Sequence, residues 1–256
     1  RGEQKLEVKL EDSYNQFEIL SDGRYVFFQR NDRKIVVYDP TTNSYEEASL
    51  NEDYNLMRIY DDVIYVAGWG GITSVDITNI SAGSIAQSSI VARVDNQNIR
   101  YFSITNNVIY YNIDDNNQNL RKTFRLQLGN NNNPNLLYTS DDYFIPVVHN
   151  NRIFMLEGWE YGELIDGEIV NKTNYTKSSN LIEQPSVQIW NESKLPKNIN
   201  GQIYVSNGES ASGQINILNL ETGKLSLPTY TLGENINYIS NYSFDSNGNL
   251  LMLNNY

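Results

Sequence analysis

"TNNVIYYN" (105–112) sets two asparagines in front of a run of valine, isoleucine and tyrosine. A two-residue hairpin turn needs positive φ at both central positions, which Asn, Asp and Gly tolerate best. The strand beyond such a turn favours β-branched and aromatic side chains. The stretch therefore predicts a tight turn feeding a strand. The layout recurs in "SDGRYVFF" (21–28), "YDDVIYVA" (60–67), "HNNRIFML" (149–156), "INGQIYVS" (199–206) and "SNGNLLML" (246–253). With Tyr25, Ile64, Ile109, Ile153, Ile203 and Leu250 as anchors, the spacings are 39, 45, 44, 50 and 47 residues. Spacings of this size are those of a repeated four-stranded sheet.

The flanks agree with that period. Upstream of the turns, "QFEILSD", "LMRIYDD", "IRYFSIT", "YFIPVVH" and "NYSFDSN" read as innermost strands. Downstream, "IVVYDPTTNSYEEA", "ITSVDITNISAGSI", "FRLQLGNNNN" and "INILNLETGKLSL" each read as a strand, a turn and a shorter outer strand. No segment sustains a helical period, and the Asn, Gly and Pro punctuation is too dense for long helices. The expected fold is all-β, a six-bladed β-propeller spanning residues 1–256 as a single domain. The last repeat is short, so the N-terminal strand "KLEVKLED" (5–12) is expected to complete it and close the ring, leaving no open sheet edge. The fourth repeat departs most, because "EGWEYGELIDGEIVNKTNYTKSSNLIEQPSVQIW" shows no clear third-strand motif.

A chain of 256 residues buries roughly three quarters of the surface its unfolded form exposes, which suffices for a core without covalent staples. There is no cysteine, which excludes disulfides, thiolate metal sites and a cysteine nucleophile. The net charge is −12, which repels phosphate backbones and argues against nucleic-acid binding. No apolar run approaches the ~18 residues of a membrane helix. The opening "RGEQKLEVKL" carries neither an initiator Met nor a signal-peptide pattern, so the chain is expected to be a fragment or processed form of a longer one, with other domains as possible partners. The 37 asparagines and 19 tyrosines suit a secreted or cell-surface β protein. Five Asn-x-Ser/Thr sequons, at Asn79, Asn171, Asn174, Asn191 and Asn241, are candidate glycosylation sites.

Two stretches carry a family resemblance. "LMRIYDDVIYVAGWGGITSVDITN" (56–79) resembles the LVIVD-type propeller repeat of bacterial and archaeal surface proteins. "NNVIYYNIDDNNQNLRKTFRL" (106–126) is similar to other prokaryotic propeller repeats. The resemblance covers two of the six repeats. It implies a propeller fold and an extracellular or cell-surface location, and no reaction.

The hairpin turns crowd one face of such a wheel, which leaves the second-to-third-strand loops on the other: "QRNDRK" (29–34), "GWGG" (68–71), "DDNNQN" (114–119), "EGWEYG" (157–162) and "NGESASG" (207–213). Trp69 lies five residues past its anchor and Trp159 six past its own. An exposed indole stacks on a sugar ring or covers an apolar side chain; the alternative is that each packs between neighbouring blades. Asp114, Asp115, Glu160, Tyr161, Asn207 and Glu209 are the flanking groups expected to orient a ligand. The expected function is a non-catalytic recognition or scaffold module for a glycan or another surface protein. The alternatives are a polysaccharide-active enzyme that uses carboxylates on the same face, and a structural subunit of a surface layer or filament.

No cofactor is implied. A single histidine, His149, read as a turn residue, leaves no zinc cluster or His-dependent triad. "GESASG" (208–213) has the wrong spacing, and the wrong β context, for a serine nucleophile elbow. "DDNNQN" and "DSNGN" hold oxygen ligands without the EF-hand spacing, and turn chemistry accounts for both.

Overall fold

A computed structural model describes residues 14–78, 80–81, 83–115, 117–129, 133–175, 195–199, 202–206, 214–226, 230–231, 241–245 and 249–253. They form strands and turns, with no helix among them. The first sheet holds β1 (Gln16–Ile19), β2 (Tyr25–Gln29), β3 (Lys34–Asp39) and β4 (Ser44–Ser49), with residues 84–85 adding a short fifth strand parallel to β4. Next come β5 (Tyr54–Tyr60), β6 (Val63–Val75), β7 (Ser84–Ile85), β8 (Ser88–Thr105), β9 (Val108–Asp115), β10 (Leu120–Gln127) and β11 (Asn135–Ser140). A four-stranded sheet follows, of β12 (Ile145–His149), β13 (Arg152–Glu157), β14 (Glu160–Ile165) and β15 (Glu168–Asn174). The last two sheets comprise β16 (Lys197–Ile199), β17 (Gln202–Ser206), β18 (Gln214–Asn219), β19 (Lys224–Leu225) and β20 (Tyr230–Thr231), then β21 (Asn241–Phe244) and β22 (Leu250–Leu253).

The opening turn has the geometry its residues predict: Asn106 and Asn107 both take positive φ, and Ile104 pairs with the anchor Ile109. Asp61–Asp62 and Asn150–Asn151 repeat the conformation, placing Ile59 opposite Ile64 and Val148 opposite Ile153. β1–β2, β16–β17 and β21–β22 pair antiparallel in the same way, so all six sequence-derived hairpins exist as pairs. The turn residues 200–201 and 246–248, and the strand expected at 5–12, lie outside the described residues.

Two departures from the sequence reading matter. The fourth unit does have third and fourth strands, β14 and β15, turned by Asp166 and Gly167, both at positive φ. Asp-Gly between β-formers is a hairpin signal in its own right, and it lies within the stretch read as lacking a motif. The second and third units are not separate sheets. β8 pairs through its first part with β6 and through its last part with β9, giving one six-stranded sheet in the order β11-β10-β9-β8-β6-β5.

β6 itself reverses direction. Thirteen extended residues would hold Val63 and Val75 about 40 Å apart, yet both line one hollow together with Asp62 and Ser74. The Tyr54 hydroxyl, whose residue pairs with Gly68, also reaches Thr73 Oγ1 at 3.2 Å. The fold-back falls at Gly68–Gly71, so the "GWGG" stretch is a bend that presents Trp69.

Apolar side chains collect between consecutive hairpins. Val26 and Phe28 pack with Met57 and Ile64; Leu56 and Ala67 with Phe102 and Ile109; Val108 and Tyr110 with Val148. Phe154 and Leu156 pack with Ile203 and Val205, and Tyr204 with Tyr242. A further cluster joins Tyr14, Phe17 and Phe27 to Leu253, the first described hairpin to the last. Polar clamps run alongside. Gln16 accepts from the Met57 amide and donates to the Asn55 carbonyl, Asn112 donates to the Phe144 carbonyl, and Asn198 donates to the Val148 carbonyl. Each satisfies a buried or partly buried backbone group that would otherwise be costly to leave unpaired. The inner strands β1, β5, β8, β12, β16 and β21 all contribute to the wall of one cavity of about 100 Å³.

Candidate functional site

Trp159 sits at the turn between β13 and β14, after Gly158 at φ 53°. The indole is 59 % exposed, while its own carbonyl accepts from the Tyr175 amide, so the turn is pinned and the side chain free to make contacts. On one side Glu160 meets Lys172 at 2.7 Å, with both side chains about half exposed. That hydrogen bond holds the Lys172 ammonium above its usual range. Lys172 also lies 5.2 Å above the Phe144 ring. On the other side Glu157 pairs across the turn with Glu160. Burial first, then the charge of Asp142, raises the Glu157 carboxyl above its ordinary value, against the opposing pull of Lys172. The result is an exposed indole beside one cation and the carboxyls of Glu157 and Glu160.

Trp69 is 53 % exposed and pairs across to Asn98, whose side-chain oxygen accepts from Asn55 at 3.0 Å. The amide pair Asn55–Asn98 therefore lies across from it. Both tryptophans thus lie at the end of a second strand, remote from the first hairpin turn, and neither packs as filler between sheets.

The other predicted residues divide. Asp114 and Asp115 are each 6 % exposed and committed to internal pairs. Asp114 accepts from Arg100 Nε at 2.7 Å and has Arg121 Nε at 3.9 Å. Asp115 meets Lys122 at 2.7 Å and accepts from the amides of Asn117 and Gln118. The Lys122 hydrogen bond pulls the Asp115 carboxyl below its usual range. These aspartates brace the β9–β10 turn and expose little carboxylate surface to a ligand. Tyr161 is buried as well, stacked on Tyr175 with ring centroids 5.7 Å apart, and belongs to the core between the fourth and fifth units. Asn207 and Glu209 lie outside the described residues, as do Asn79 and Asn191. Asn171 and Asn174 are exposed on β15. Asn241 is 2 % exposed and accepts from Lys197, so the folded chain has no room for a glycan there.

Sequence reading missed Glu157, Asp142, Lys172 and the pair Arg121–Tyr143. Arg121 lies 4.3 Å above the Tyr143 ring, donates to its hydroxyl and to the Asp141 carbonyl, and so ties the third unit to the segment entering the fourth. "SDDYF" (140–144) stands well before the Gly-Trp turn in the sequence, and only the sheet pairing of Ile145 with Leu156 brings it to Glu157.

No family model and no curated protein matches the sequence. Solved structures do match in shape. The WD40 β-propeller domain of Doa1 aligns with a TM-score of 0.58 at 13 % identity, covering 95 % of this chain and 90 % of that one. A luciferin-regenerating enzyme aligns with a TM-score of 0.61 at 9 % identity, covering 91 % and 80 %. A streptogramin B lyase aligns at 0.54 and 12 % identity, covering 96 % and 92 %. The chain therefore has an all-β, propeller-like fold. Neighbours that include a WD40 domain, a lyase and a regenerating enzyme leave its activity open at these identities.

Proposed function

We propose that this chain is a closed six-bladed β-propeller acting outside the cell or at its surface as a non-catalytic recognition module. Its contact face carries Trp69 and Trp159, and its partner is a glycan or another surface protein. Closure is supported by six apolar clusters that follow one another from hairpin to hairpin and return to the first, and by a cavity walled by all six inner strands. Of the last blade, β21 and β22 are described. The resemblance to surface-protein repeats supports the location. Among the described residues no helix is long and apolar enough to cross a membrane.

The observation that carries the recognition reading is the exposure of both indoles at glycine-bounded turns of corresponding position. Tryptophan is enriched at interfaces, where its large apolar face and N–H donor both find partners. The test is a glycan array, with the intact domain compared against a Trp69→Ala, Trp159→Ala double variant. Selective retention that the double variant loses is the expected result; equal retention by both removes the tryptophans from the account.

One observation favours a second reading. A carboxyl raised by burial, as at Glu157, is what a glycosidase asks of its general acid. In that case Trp159 orders a sugar next to it. Polysaccharide cleavage that disappears in Glu157→Gln, with binding retained, is the result that selects the enzyme.

A further inference from the structure

The cavity at the meeting of the six inner strands is lined by Glu18, Arg58, Tyr101, Ser103, Lys197 and Ser243, among others. The chain carries a net −12, yet the charged residues on this wall are two cations and one anion, a net +1. A locally positive, walled space inside an acidic protein is a departure that needs a reason, because low-dielectric walls focus the field of the charges that line them.

Arg58 is one of the two cations. Its side chain is 15 % exposed; one Nη donates to the Met57 carbonyl at 2.7 Å, and Glu18 stands 3.8 Å away, beyond hydrogen-bond length. A guanidinium has five N–H donors, so four are left without an acceptor among the described residues. Lys197 is 8 % exposed and is held in place by donating to Asn241 Oδ1 and to the Tyr242 carbonyl. The hydroxyls of Tyr101, Ser103 and Ser243 add neutral donors from β8 and β21. The volume, about 100 Å³, is that of about three waters at ~30 Å³ each, or of one oxyanion of about four or five heavy atoms.

We propose that this axial cavity binds a single small oxyanion, with Arg58 and Lys197 as its cationic anchors and the serine and tyrosine hydroxyls as orienting donors. Each oxygen of such an anion accepts charge-assisted hydrogen bonds, the strongest kind available to these donors. Six strands from six units meet around it, so an occupied site ties the ring together at its axis. A ligand that binds only the folded form stabilises it in proportion to the logarithm of its concentration.

The test uses thermal unfolding and calorimetric titration of the full chain with inorganic phosphate, sulfate and acetate, against chloride at constant ionic strength. Saturable binding of one oxyanion is expected, with acetate against phosphate and sulfate separating a carboxylate from a tetrahedral anion. Arg58→Gln is expected to weaken binding about tenfold or more. Glu18→Gln, which removes the one negative charge on the wall, is expected to tighten it several-fold, a gain that a purely structural role for Glu18 would not produce. Should Arg58→Gln fail to fold, Glu18→Gln and Ser243→Ala decide the matter by opposite shifts. The proposal is overturned if no oxyanion exceeds the chloride control, or if affinity is the same in wild type, Glu18→Gln and Ser243→Ala. The Trp69, Trp159 variants leave this cavity untouched, so its fate and that of the rim are read independently.

Discussion

The turns around Trp69 and Trp159 occupy corresponding places in two units and expose nearly the same share of an indole, yet different forces hold them. At Gly68–Gly71 the main chain is wedged against its neighbours. A Cβ on Gly71 would sit 2.0 Å from the Ala92 carbonyl oxygen, and one on Gly68 would sit 2.5 Å from that of Asp53. At Gly158 there is open space, and only the positive φ asks for glycine. Its surroundings do the rest: Glu157, Glu160 and Lys172 set a charged frame around the turn. The first turn is fixed by steric contact of backbone with backbone, the second by conformation and electrostatics. A short Gly-Trp motif therefore reports a bend without reporting why the bend is there.

Substitutions separate the two cases, beginning with the severest. Gly71→Ala should cost at least about 3 kcal/mol in urea unfolding, because a backbone oxygen cannot move aside as a side chain can; a near-neutral result would mean the bend is not wedged. Asp114→Ala, which strands Arg100 close to the same bend, should cost about 2 kcal/mol, below the range for a fully buried pair because Arg100 is partly exposed. Gly158→Ala should cost about 1 kcal/mol, and Gly158→Asn less, since asparagine accepts positive φ. Equal losses at Gly71 and Gly158 would erase the contrast.

Smaller effects probe the charged frame. The folded chain holds the Glu157 proton more tightly than the unfolded chain, whose ordinary value is 4.5. The stability this proton confers is complete below that value and is lost as pH rises through the raised one. Glu157→Gln should therefore remove a stability loss that wild type shows across that window, measured by unfolding on either side of it. Lys172→Ala should cost under about 1 kcal/mol, as expected of a half-exposed pair, and its effect should fade with salt.

Much of the architecture was legible because turns are local. Asn106–Asn107, Asp61–Asp62 and Asn150–Asn151 adopt positive φ for reasons contained in the residues themselves. The anchors that follow them pair where the period puts them. The candidate site was legible only in part. Both tryptophans proved exposed, but Asp114, Asp115 and Tyr161 look alike in sequence whether they face water or a partner. Arg100 and Lys122 claim the two aspartates, and Tyr175 covers the tyrosine. The sharing of β8 by two units escaped for a related reason: a strand's partners on either side are chosen by distant segments, not by its own alternation.

What the chain's own residues determined is the set of hairpins, their period, and the absence of disulfides, since each rests on backbone preference or on the presence of an atom type. What only the tertiary structure decided is which polar groups meet and which are left over: the clamps at Asp114 and Asn241, the raised carboxyl of Glu157, and the gathering of Arg58 and Lys197 around one cavity. Those depend on residues far apart in the chain being brought within a few ångströms. Burial and charge pairing are properties of that encounter, and no single segment contains them.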